Sequence, residues 1–192
     1  MRKILLIITY ISVYVLTVNA QKRNLLKLNL ISPLVKTLNM LFEGVIGEQK
    51  SFQIGFFYTS GKSEDESLYG FGITPEYRMY FSEGRDAPSG FFLAPFLRFQ
   101  TFHSTVNDSW TYDEEIEASF IGIRPGLLIG HQWLFSDKVS FELFFGTTYS
   151  IYSIDIKSDE GEEDDFPFTD TFGIGEGNNF GIRAGLTIGI AL

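Results

Sequence analysis

From Asn24 onward, apolar residues recur at every second position, the period of a strand rather than the 3.6-residue period of a helix. Tyr69 to Phe81 is the clearest case: Phe71, Ile73, Pro75, Tyr77, Met79 and Phe81 share one face, and Gly70, Gly72, Thr74, Glu76, Arg78 and Tyr80 share the other. Ser51–Thr59, Val139–Ile151 and the terminal run from Phe180 to Leu192 alternate in the same way. Leu26–Leu30, Thr37–Glu43 and Phe120–Gly130 alternate less cleanly, and Phe91–Phe102 is apolar on both faces apart from Arg98 and Gln100. The pattern therefore predicts eight strands, with a helical alternative open for Asn24–Ile46, where the periodic stretches are short.

The links between these strands differ in kind. Those near Gly47–Lys50, Ser82–Ser89 and His131–Asp137 are short, whereas Ser60–Leu68, His103–Glu117 and Ser153–Asn178 are longer and polar. The hairpin around Ser32–Lys36 departs from this scheme by being short where a long loop is due. Short turns at one end and long loops at the other are the mark of an outer-membrane barrel. An even strand count places both ends of the barrel on the short-turn side.

Alternation alone also suits a soluble barrel with its apolar face turned inward. The composition of the polar face separates the two. Gly55, Gly70, Gly72, Gly122, Gly126, Gly130, Gly146, Gly181, Gly185 and Gly189 all lie on it. A water-facing strand surface so rich in glycine is poorly stabilised, whereas small residues inside a narrow eight-stranded barrel leave room for a few long side chains. The opposite face is large, apolar and free of charge, as a lipid-facing surface requires. The expected fold is thus all-β: an eight-stranded antiparallel transmembrane up-and-down β-barrel. A soluble periplasmic lipocalin-like barrel binding an apolar ligand is the alternative, and carbonate extraction of membranes distinguishes them.

Charge follows the same division. Lys27, Glu43, Glu76, Arg78, Arg98, Arg124, Glu142 and Arg183 are the charged residues within the eight segments, and all sit on the glycine-bearing face. A mid-membrane Lys or Arg on the lipid face would cost about 2–4 kcal/mol. Charges inside a small lumen need partners, so these eight are expected to form a structural ion-pair network that fills the barrel. An ion pathway or proton relay is the competing reading, disfavoured because an interior of this size is filled by its own side chains.

The N-terminus reads as a targeting segment. Arg2 and Lys3 precede an apolar stretch from Ile4 to Val18, and Val18-Asn19-Ala20 presents small residues at the positions a signal peptidase reads. Residues 1–20 are expected to be a cleaved signal peptide and residues 21–192 the outer-membrane barrel domain. Loss of Arg2 and Lys3 takes the formal charge from −9 to −11. That acidity argues against a nucleic-acid partner, and the absence of cysteine excludes disulfides, thiolate metal sites and cysteine nucleophiles. Of 24 acidic residues, 17 fall in the three long loops, nine of them in Ser153–Asn178. Asp155, Lys157 and Asp159 break the spacing of an EF-hand, so a solvated loop is expected there rather than a calcium site. His103 precedes Ser104 in one loop and His131 falls in a short turn beside Trp133. Neither forms a recognisable catalytic or metal-binding set. No catalysis and no cofactor are expected.

Several stretches together resemble a family of small outer-membrane β-barrel proteins of unknown function from Bacteroidota. They are Asn24-Leu25-Leu26-Lys27-Leu28-Asn29-Leu30 with Ser32-Pro33-Leu34, Phe42-Glu43, Gly72-Ile73-Thr74-Pro75-Glu76-Tyr77-Arg78-Met79-Tyr80, Gly90-Phe91-Phe92-Leu93-Ala94-Pro95-Phe96-Leu97-Arg98-Phe99 and Gly130-His131-Gln132-Trp133-Leu134-Phe135. The Pro-Glu-Tyr-Arg element at Pro75–Arg78 is the most specific. The resemblance implies an eight-stranded barrel of the OmpA and OmpX type and no known activity. The chain departs from such barrels in ending on Leu192 rather than on an aromatic residue. The expected role is structural or one of surface interaction through acidic extracellular loops. The expected partners are outer-membrane lipid and an unidentified extracellular molecule, with the chain itself a monomer.

Overall fold

A computed structural model of the chain describes residues 24–62, 66–82, 84, 86–108, 114–157 and 179–192. Nine strands account for most of them: β1 (Asn24–Asn29), β2 (Thr37–Gly47), β3 (Lys50–Lys62), β4 (Glu66–Tyr80), β5 (Gly90–Asp108), β6 (Glu114–Phe135), β7 (Val139–Tyr149), β8 (Ile151–Lys157) and β9 (Phe180–Ala191). Each pairs antiparallel with its neighbour in sequence as far as β7, and β9 pairs with both β7 and β1. The ring of β1 to β7 with β9 is therefore closed, which is how barrels avoid open hydrogen-bonding rows.

β7 and β8 act as one stave. β7 lies against residues 126–135 of β6, and β8 continues the same edge against residues 117–123. Ser150 lies between them, and its amide donates to Asn179 O at 2.7 Å, extending the β7–β9 register by one pair. The result is a closed, all-β, antiparallel barrel of eight staves.

Burial shows which face the alternation turns inward. Along β3, Ser51, Gln53, Gly55, Phe57 and Thr59 are buried while Phe52, Ile54, Phe56 and Tyr58 are exposed. β7 repeats the pattern, with Ser140, Glu142, Phe144 and Gly146 inward. A water-soluble barrel would have the reverse arrangement. Inward glycines are matched to rings on the adjacent strand: a Cβ at Gly130 would stand 2.5 Å from the Phe92 ring, and one at Gly70 would stand 2.2 Å from the Phe102 ring. The sequence uses glycine on one stave to seat a phenylalanine from the next, which fills a small lumen without overpacking.

Several strand boundaries differ from the sequence-based expectation, and β3 and β4 extend to Lys62 and from Glu66 into the expected loop Ser60–Leu68. β5 and β6 run on to Asp108 and from Glu114, pairing as far as Asp108↔Glu114, and β8 occupies part of the expected loop after Ile151. β6 also continues through His131, Gln132 and Trp133 to Phe135, so this stretch is strand and not turn. The reason is physical: the hydrogen-bond ladder persists where polar side chains replace apolar ones, so the apolar period marks the belt and not the full stave. Asn24–Ile46 is not helical beyond one 3-10 turn, Ser32–Val35, with Pro33 in its first turn. Both chain ends of the barrel and the tight turns lie at one end, called lower here; the 3-10 turn lies at the upper end. The proposed signal peptide and the acidic run Asp159–Asp165 lie outside the described residues.

Candidate functional site: the charged lumen

The lower lumen is built by register. Glu43, Gln53 and Glu76 lie side by side across β2, β3 and β4, so the neutral amide of Gln53 separates two carboxylates. Gln132 lies opposite Glu142 across β6 and β7. Glu43, Gln53, Gln132, Glu142 and Arg78 are wholly buried, and Lys27 and Glu76 are 1% exposed. Buried charges survive only where ion pairs and hydrogen bonds offset their lost hydration.

Each of them has such partners. Arg78 Nη1 donates to Glu142 Oε2 at 2.8 Å, and its Nη2 donates to Glu142 Oε1 and Glu76 Oε2, both at 3.0 Å. The planar guanidinium thereby holds Glu142 through both oxygens, the geometry that favours Arg over Lys. Its other face lies over Phe92, 4.5 Å from the ring centre. Lys27 Nζ donates to Glu142 Oε2 at 2.6 Å and makes a further ion pair with Glu43. Glu43 also accepts from Tyr80 Oη at 2.6 Å and from Ser51 Oγ. Gln53 Nε2 donates to Glu76 Oε2 at 2.9 Å. On its other side Glu76 Oε1 meets Arg183 Nη1 at 2.7 Å, an ion pair without hydrogen-bond alignment.

Gln132 joins this network to the floor of the barrel. Its side-chain oxygen accepts from Lys27, and its amide nitrogen donates to Pro88 O at 2.6 Å and Glu43 Oε2 at 3.2 Å. Pro88 belongs to the turn after β4, which folds beneath the lumen with Ala87 buried and its amide bound to Glu48 O. Reading the strand as ending at Gly130 hid this role. The signal was present, because Gln132 continues the inward series Gly122, Arg124, Gly126, Leu128 and Gly130.

Six of the eight charged residues expected in the lumen are thus linked: Lys27, Glu43, Glu76, Arg78, Glu142 and Arg183. Arg98 and Arg124 sit higher. Arg98 Nε donates to Thr74 Oγ1 at 3.1 Å, and Arg124 Nε donates to Ser150 Oγ at 2.7 Å. Above the network lies a cavity of about 240 Å³, reached by Arg98, Arg124 and Arg183.

The histidines stand elsewhere. His103 is in β5, not in a loop, and its Nδ1 lies 3.0 Å from Ser119 Oγ while its ring stacks on Tyr69. Ser104 is buried on the opposite face, as adjacent strand residues must be. A His103–Ser104 pair is therefore excluded. His131 packs against Phe91 and Trp133 on the exterior.

The exterior completes the description. Phe42, Phe52, Ile54, Ile73, Ile129 and Leu143 are all at least 38% exposed. Aromatic residues gather towards both rims: Phe81, Phe91 and Phe135 below, Tyr58, Tyr69 and Phe180 above. A closed antiparallel barrel with an apolar exterior and an ionised, packed interior defines the class. Within it, the family described as Protein of unknown function (DUF3575) matches residues 5–160, and the chain belongs to that family. No curated protein matches the sequence. Two solved structures are similar. The N-terminal β-barrel domain of Pseudomonas aeruginosa OprF shares 10% identity, with a TM-score of 0.38 over 89% of this chain and 96% of that one. A major outer membrane protein from Thermus thermophilus shares 11% identity, with a TM-score of 0.45 over 90% of this chain and 100% of that one.

Proposed function

We propose that the protein is a monomeric, non-catalytic outer-membrane barrel. Residues 1–20 direct its export and are removed. Its role is structural or one of surface contact through the acidic loops at the upper end. The observation that carries this reading is the inversion of the barrel: apolar side chains ring the outside while Lys27, Arg78 and Glu142 are buried within. In water the outer face would be an oversized apolar patch. In a bilayer it is the lipid contact, and the aromatic residues towards both rims match the two interfacial girdles of such barrels. The resemblance of Pro75–Arg78 to small Bacteroidota barrels supports the same placement. So does the inward burial of charge, because a lipocalin-like barrel for an apolar ligand would line its lumen with apolar groups.

The test uses membrane fractionation and labelling. The protein is expected to stay with carbonate-washed membranes and to change its gel mobility on heating. In the cysteine-free chain, Ser158→Cys is expected to react with a membrane-impermeant maleimide on intact cells. Ser136→Cys, in the exposed lower turn after β6, is expected to react only once the outer membrane is opened. Release by carbonate would overturn the membrane reading, and the opposite labelling pattern would invert the orientation.

A further inference from the structure

Among the eight charged lumen positions identified above, cations outnumber carboxylates. Five cationic and three acidic side chains occupy the inward strand positions identified above. The lower network sets Lys27, Arg78 and Arg183 against Glu43, Glu76 and Glu142. Arg98 and Arg124 stand above that network, and they are direct cross-strand partners in the β5–β6 register. Like charges placed opposite each other on one face destabilise a sheet. Arg183 and Arg124 both act on Arg98 as like charges, while Glu76 acts on it as an opposite charge. Among the described residues no carboxylate reaches ion-pair distance of Arg98, whose contacts are Thr74 Oγ1 and the face of Phe57 at 5.1 Å.

All three guanidiniums reach the same cavity. Gln100 also lines it. That side chain is 5% exposed, and its amide nitrogen has no hydrogen-bond partner among the described residues. A buried amide without a partner loses its hydration uncompensated, so this one points to a missing acceptor. The remaining wall is aromatic, from Phe57, Phe102 and Phe144. The cavity far exceeds the space of one water yet is smaller than a typical pocket for a drug-sized ligand.

We propose that this cavity binds a small organic acid, a single carboxylate carried on an aromatic or short apolar body. The carboxylate is held by Arg98, with Gln100 as a further donor, and it neutralises the repulsion between Arg98 and its neighbours. The apolar body lies against Phe57, Phe102 and Phe144. A multiply charged inorganic oxyanion satisfies the cations but leaves the aromatic wall without a function. Because the lower network closes the lumen, the ligand enters and leaves by the upper end, and the site is a blind vestibule rather than a conduit.

The test is calorimetric titration of the full-length barrel, folded in detergent, at constant ionic strength. Sodium benzoate is the probe, with benzamide and inorganic phosphate in parallel. Benzoate is expected to bind saturably and benzamide not at all. Arg98→Gln is expected to weaken benzoate by about tenfold or more, the loss of a charge-assisted contact. Phe102→Ala is expected to weaken it by about threefold or more. Both variants should retain the native heat-modified gel shift. Absence of saturable binding, or equal affinity in Arg98→Gln, would overturn the site. Phosphate bound as tightly as benzoate, with no effect of Phe102→Ala, would overturn the ligand class. Should Arg98→Gln fail to fold, Arg98→Lys keeps the charge but lacks the planar fork. It is expected to lose several-fold in affinity, and unchanged affinity in that variant would likewise overturn the site.

Discussion

The lower and upper halves of the lumen are made from the same residue types and arranged differently. Below, each carboxylate is flanked by a neutral amide: Gln53 stands between Glu43 and Glu76, and Gln132 stands opposite Glu142. Arg78 then reaches two of the three carboxylates with hydrogen bonds. Above, Arg98 faces Arg124 directly across the β5–β6 ladder with no spacer, and a cavity takes the place of packed side chains. The lower half is a finished plug, stable because its charges are paired. The upper half sets like charges side by side next to open volume, an arrangement that costs stability. Burial of charge in a barrel therefore serves two ends, and the register of the strands decides which one applies at each level.

Four measurements sharpen or break this contrast. The largest effect is expected for Arg78→Ala, which leaves Glu142 and Glu76 buried without their main partner. Breaking such a pair costs about 3–5 kcal/mol, read as a lower unfolding midpoint in urea and detergent. A midpoint equal to that of the native barrel would show that the plug does not stabilise the fold.

Next is Gly130→Ala. A Cβ there would stand 2.5 Å from the Phe92 ring and 2.7 Å from Leu143 O. That ring is itself held between Tyr80, 5.7 Å away, and the Arg78 guanidinium. Neither neighbour yields easily, so overpacking should cost about 1–3 kcal/mol. In the upper half the three atoms nearest a Cβ at Gly70 all belong to the Phe102 ring, the closest at 2.2 Å. Phe102 borders the cavity, which gives the ring somewhere to turn, and the expected cost is under about 1 kcal/mol. Equal losses in the two glycine variants, compared by unfolding in the same detergent, would contradict the difference in packing.

Arg98→Ala is expected to have a smaller effect on stability than Arg78→Ala. It removes one hydrogen bond, to Thr74, but also relieves repulsion with Arg124. A net change of about 1 kcal/mol or less is expected, and a midpoint as low as that of Arg78→Ala would merge the two halves into one network. The smallest effect is electrical. The native barrel in a planar bilayer should show no steady, porin-like conductance, and Arg98→Ala should show none either, because the plug formed by Lys27, Arg78, Glu142 and Gln132 is intact. Sustained conductance in either protein would show that the plug is open.

Much of this was legible in the chain. Period-two patterning identified the staves, and glycine on the polar face identified that face as the lumen. The position of Lys27, Glu43, Glu76, Arg78, Arg98, Arg124, Glu142 and Arg183 on one face follows from parity alone, since successive strand side chains alternate. Gln132 was legible by the same parity but was overlooked, because apolar residues stop marking the strand before the ladder ends. His103 was misplaced in a loop for the same reason.

Which charges meet was not legible. Parity assigns a residue to the lumen but not to a height within it, and height depends on the register of each strand pair together with closure of the ring. Closure brings β9 back against β1 and sets Arg183 beside Glu76, although β9 and β4 are far apart in sequence. Register sets Arg98 opposite Arg124 rather than opposite a carboxylate. The sequence by itself determined the eight staves, the two faces and the inward placement of charge, because these depend only on local alternation. The tertiary structure alone decided that six of those charges form a plug while two guanidiniums border a cavity, because ion pairing acts across space between staves whose relative heights no local pattern specifies.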